Sequence, residues 1–162
     1  MNTTSSTPTC SRFYAISTFK LLVMYICTLG FYEVYWFYKQ WEMIKQQEKS
    51  SVIPILRSIF GILFSYPLFR RIQLAQEANE QSVPLASMFW CVILILLNAT
   101  MVLAGPLRFL TFCSILPLLV AQAAANQVNH TNFPEMPKND KFNQIEIVIV
   151  IFGIFVWLTS FA

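Results

Sequence analysis

The sequence predicts an all-α fold, a polytopic helical membrane protein with five transmembrane helices or, alternatively, four. Three observations lead there. Of the 162 residues, 56% are hydrophobic and 12% are charged, about half the roughly 25% charge of an average soluble domain. The apolar residues are gathered into runs at 21–38, 52–69, 85–104, 107–125 and 145–162, each close to the ~20 residues a helix needs to cross ~30 Å of hydrocarbon. Aromatic and cationic side chains, which favour the headgroup layer, bound several of these runs.

The elements follow in chain order. Residues 1–16 are predicted as a disordered polar tail, Thr/Ser-rich at its start and without an apolar run. The first run has Lys20 at its mouth and a dense aromatic cluster, including Trp36 and Tyr38, at its far end. It carries bulky residues where signal cleavage needs small ones, so it is expected to stay as a span. Residues 39–51 are polar and helix-favouring, with Trp41 and Ile44 on one face. They suit either an amphipathic helix lying along the surface or an extension of the first span. The second run has Pro54 in its first turn and ends at Arg70 and Arg71, whose side chains can snorkel into headgroups. Lys20, Trp36, Tyr38, Trp41, Arg70 and Arg71 are therefore expected as interfacial anchors.

The third and fourth runs meet at Gly105-Pro106, which breaks the helix and predicts a tight hairpin. Re-entry of that hairpin, or a first run lying on the surface, would give four spans. Residues 126–144 form the longest polar loop and hold His130, the single histidine of the chain. With five spans, Arg12, Lys20, Arg70, Arg71, Lys138 and Lys141 fall on one side and Lys39, Lys45, Lys49 and Arg108 on the other. The richer side is placed in the cytoplasm, with the N-terminus there and the C-terminus outside.

The stretch Thr28-Leu29-Gly30-Phe31-Tyr32-Glu33-Val34-Tyr35-Trp36-Phe37-Tyr38-Lys39 resembles the T-L-G-x-Y-x-x-Y-W-F-Y-K signature of an uncharacterised family of small bacterial multi-pass membrane proteins. In that family it closes the first helix, and Ser17, Lys20 and Leu21 fit the same pattern. The resemblance covers roughly residues 13–71. It implies a bacterial cytoplasmic-membrane location and says nothing about chemistry.

Polar groups inside apolar runs are the functional candidates, because an ionisable residue within a span costs on the order of 2.5–3.5 kcal/mol. Glu33 lies five residues before the end of the first run and Arg57 five after the start of the second. In antiparallel neighbours they share a depth, and an ion pair is expected, either fixing the helix register or serving as an ion-coupling site. Gln122, Asn126 and His130, spaced by four, form a polar stripe on one helix face. The stripe could lead into the bundle, or it could make interhelical hydrogen bonds. Ser17 and Lys20 are three apart, but a catalytic dyad would need a desolvated lysine, and an interfacial lysine is normally an anchor.

Other chemistries lack their parts. The net charge is +3 with no basic run interleaved with aromatics, so no nucleic-acid partner is expected. There is no H-E-x-x-H, no Gly-rich phosphate loop and no second histidine, so no metal or other cofactor and no catalytic residue is assigned. Cys27, Cys91 and Cys113 lie in apolar runs and read as small apolar side chains. Three classes of function stay open. The first is a non-catalytic scaffold, regulatory or immunity-type membrane component. The second is a small oligomeric transporter or channel using Glu33 and Arg57. The third is a membrane enzyme using Ser17 and Lys20, or His130. The expected partners are the lipid bilayer and a membrane protein, which could be a second copy of the chain.

Overall fold

The computed structural model describes residues 11–49, 51–81, 84–137 and 139–160. Over these the chain forms seven α-helices and no strand: α1 (Thr18–Cys27), α2 (Tyr32–Glu48), α3 (Pro54–Ile59), α4 (Gly61–Ala78), α5 (Ser87–Ala99), α6 (Ile115–Asn132) and α7 (Gln144–Ser160). Two 3-10 stretches, Thr100–Val102 and Gly105–Ser114, sit between α5 and α6. One continuous helical stretch, Gly105–Asn132, is long and apolar enough to cross a membrane by length and composition, while Thr18–Cys27, Ser87–Val102 and Gln144–Thr159 are apolar but shorter. Five full-length spans are not supported, because the first two apolar runs are each cut by a turn.

The first cut lies inside the Thr-Leu-Gly-x-Tyr segment. Thr28 Oγ1 donates to the Met24 carbonyl at 2.8 Å and accepts from the Tyr32 N–H at 2.9 Å. Leu29 and Gly30 take positive φ of 53° and 92°. Their N–H groups bond back to the Ile26 and Tyr25 carbonyls, which satisfies the orphan acceptors of α1 in the Schellman manner. The segment expected to close an uninterrupted helix is thus a helix–turn–helix apex. α1 keeps only 10 residues, about 15 Å of rise, half the hydrocarbon thickness. The second run is cut at Phe60, between α3 and α4. There Gly61 brings α4 so near α2 that an added Cβ would meet Phe37 at 2.6 Å.

After its apex, α2 returns along the chain that precedes α1, because Gln40 bonds Tyr14 and Gln47 bonds Arg12. The Arg71–Glu48 ion pair brings α4 to the end of α2. α6 runs beside α2, with Ser114 near Glu33 and Gln122 beside Trp36. α7 runs beside α1, and a Cβ on Gly153 would strike the Cys27 carbonyl. Two ends result. A polar end holds residues 11–17, 51–53, 79–81, 84–86, 133–137 and 139–143. An apex end holds the turns near 30, 60 and 104.

The core between them is built from Trp36, Phe37, Trp41, Leu68, Phe69, Ile72, Leu94 and Leu118, all at most 1% exposed. The outer surface of the apex half is apolar. Phe31, Leu63, Met101, Val102, Phe109, Ile151, Phe152 and Leu158 are each more than half exposed. Residues 11–16, expected within a disordered tail, are instead extended and held in place, and Phe13 and Ile16 are buried. Residues 1–10, with the remainder of that expected tail, lie outside the described residues.

Candidate functional site

Three clusters of buried polar groups stand out among the described residues, while Ser58, Ser65, Gln76 and Ser87 lie outside them. The largest is a ladder of side-chain amides around residues 11–16. A non-helical segment offers an N–H and a C=O at every residue, and burial requires partners for them. Gln40 and Gln47 from α2, with Gln122, Asn126, Asn129 and Asn132 from α6, supply them. Asn129 holds both groups of Phe13, accepting from its N–H and donating to its C=O, each at 2.8 Å. Gln47 does the same for Arg12. The Tyr14 N–H donates to Gln40 and its carbonyl accepts from Gln122 at 2.9 Å, while the Ile16 and Ser11 carbonyls accept from Asn126 and Asn132.

Gln122 is the hub. Its oxygen accepts from Trp36 Nε1 at 2.6 Å and from Gln40 Nε2 at 3.1 Å, and its nitrogen donates to Tyr14 and to Asn126. All four of its hydrogen-bonding positions are used. The predicted stripe is therefore formed at Gln122 and Asn126 but not at His130, which is exposed. It continues at Asn129 and Asn132 instead, because spacings of four, three and three track one face of a 3.6-residue helix more closely than spacings of four alone.

The second place surrounds Lys20, which is 1% exposed and is no interfacial anchor. Its ammonium lies 2.7 Å from Glu146 Oε2, 2.7 Å from the Asn139 side-chain oxygen and 2.7 Å from the Lys141 carbonyl. Three acceptors satisfy its three N–H donors. Glu146 also caps α7 reciprocally with Asn143, at 2.8 Å in each direction. Ser17 caps α1 by accepting from the Lys20 backbone N–H. No Ser-Lys dyad exists, since the ammonium is spent on α7 and the hydroxyl on the helix end.

The third place lies at the apex end. Glu33, in the first turn of α2, is 9% exposed and accepts from Ser114 Oγ at 3.3 Å; Ser114 Oγ also lies 2.8 Å from the Tyr25 hydroxyl. The expected Glu33–Arg57 pair is not formed. Arg57 turns the other way, its guanidinium 4.2 Å from the Trp41 ring centroid and 5.2 Å from that of Phe64. Sequence depth placed the two residues at one level, but the Phe60 turn reorients α3, and the aromatic faces offer the cation a dry surface.

The remaining anchors divide. Trp36 and Trp41 are fully buried, so they are core residues and not an interfacial belt. Arg70 and Arg71 are partly exposed and pair with Glu77 and Glu48. Tyr38 is half-buried and donates to Glu42, while Lys39, 2.7 Å from the same carboxylate, holds the Glu42 carboxyl below the usual carboxylate range.

Sequence reading missed Gln40, Gln47, Asn129, Asn132, Ser114 and Glu146. The signal for the ladder was present: two glutamines seven apart on α2, and four amides on one face of α6. No protein-family model matches the chain, and comparison with curated proteins and with solved structures finds no match.

Proposed function

We propose that the chain is an integral membrane protein of non-catalytic kind, a scaffold or regulatory component, embedded by its apex half and presenting its polar end to the cytoplasm. The observation that carries this reading is the surface of α7. Of its seventeen residues, Ile147, Val148, Ile151, Phe152, Ile154, Phe155 and Leu158 are 47–72% exposed together with Ile145. An apolar helix face of this extent is stable in lipid and not in water. Gly105–Asn132 is long and apolar enough to reach across the bilayer, the shorter α5 pairs with it as a hairpin, and the α1–α2 and α3–α4 turns dip in from the polar end.

The charges support the orientation. Arg12, Lys45, Lys49, Arg70, Arg71 and Lys141 gather at the polar end and Arg108 stands near the far hairpin tip, the asymmetry expected of a cytoplasmic polar end. The non-catalytic assignment rests on the use of the buried polar groups: the amide ladder and Lys20 hold the chain to itself. The resemblance to small bacterial membrane proteins supports the membrane location alone.

Cysteine labelling tests it, in a chain with Cys10, Cys27, Cys91 and Cys113 replaced. In inverted membrane vesicles, cysteines at 46, 77 and 130 are expected to react with a membrane-impermeant thiol reagent, and those at 63, 98 and 151 to resist it. Equal reaction at 63 and 151 would refute membrane embedding. Reaction at 98 alone would favour an aqueous path and the transporter reading.

A further inference from the structure

Glu33 is, among the described residues, a buried carboxylate with no cation in ion-pair contact. Among the described residues, the ion pairs join Lys20 to Glu146, Lys39 to Glu42, Arg70 to Glu77 and Arg71 to Glu48. Arg57 is held between two rings, as described above. The carboxylate of Glu33 lies instead on the wall of a cavity of about 310 Å³ that opens at the apex end. Tyr25, Phe37, Phe112 and Ile62 supply its apolar walls, and Ser58, Asn98 and Thr111 its remaining polar atoms.

Two physical facts limit what this cavity can hold. A buried carboxylate favours a counter-charge strongly, because water no longer screens or solvates it. A bare inorganic ion would need six or more oxygens in a hard cage, and these walls are mostly rings and aliphatic carbons. Aromatic faces around one carboxylate suit a diffuse organic cation, which gains cation–π contact and apolar burial together.

We propose that this cavity is a binding site for a monovalent organic cation with an apolar body, a protonated amine or quaternary ammonium, with Glu33 as its counter-ion. The site is separate from the amide ladder. It does not depend on how the chain sits in a membrane, so the test uses purified full-length protein in detergent.

Equilibrium dialysis with tritiated benzyltriethylammonium is expected to show saturable binding of one ion per chain. Glu33→Gln should weaken it at least tenfold while the melting midpoint stays within a few degrees. Glu42→Gln, which removes a partly exposed carboxylate outside the cavity, should leave binding unchanged, and the uncharged carbon isostere of the probe should compete poorly. Should Glu33→Gln fail to fold, Met101→Arg at the exposed rim carries the test and should weaken binding at least tenfold with the carboxylate intact, because it sets a competing cation at the mouth of the cavity. Absence of saturable binding to the unmodified protein would overturn the proposal. So would full affinity in Glu33→Gln or Met101→Arg, or competition by the neutral isostere as strong as that of the cation.

Discussion

Lys20→Met is expected to destabilise the protein by about 3–5 kcal/mol, the cost of leaving one member of a buried ion pair alone. The variant keeps the length and apolar stem of the lysine. It strands Glu146, whose side chain is 13% exposed, and removes the donor from the Asn139 side chain and the Lys141 carbonyl. The double variant Lys20→Met/Glu146→Gln should recover about half of the loss, because the stranded charge is gone while the two oxygens still lack a donor. Denaturant unfolding in detergent measures both. A loss below about 1 kcal/mol for the single variant would mean that Lys20 is solvated at an interface, as its place in the sequence suggested.

Asn129→Leu should have an effect of similar size. The substitution fits the volume but removes both partners of the Phe13 backbone, and each unpaired buried group costs about 1–3 kcal/mol, giving about 2–6 kcal/mol in all. Asn129→Asp keeps the acceptor and loses the donor, so it should fall between. His130→Ala, one position along and exposed, should change stability by less than about 0.5 kcal/mol. Release of the strand also has a local readout. Tryptic cleavage after Arg12, slow in the native protein, should become fast in Asn129→Leu at temperatures where the helices remain folded. Equal cleavage rates would show that the amide ladder is not what holds the segment.

Both predictions concern residues whose roles the sequence only half disclosed. Composition and blocked apolar runs were enough to read an all-helical chain, because burial and helix propensity act over many residues at once. The apex at 28–31 was hidden, since Leu29, Phe31 and Tyr32 continue the apolar pattern and a single Thr-Gly pair is a weak stop signal in such a run. Trp36 and Trp41 look like headgroup residues by type. Only the returning path of α2 shows that they face Gln122 and Arg57 in the interior. Gln122 and Asn126 were visible as a stripe, but their partner was not, because main-chain atoms carry no sequence signature. The Glu33–Arg57 expectation failed for a related reason. Equal depth along two helices says nothing about which faces meet when one of them turns at Phe60.

The side-chain amides of α2 and α6 hold residues 11–16 to the helical bundle. Hydrogen exchange at the Phe13 and Tyr14 backbone amides tests it most directly, since both lie outside any helix yet donate to Asn129 and Gln40. The account predicts protection comparable to that of the α6 amides, lost together in Asn129→Leu. Exchange at the rate of an unstructured peptide in the unmodified protein would contradict it.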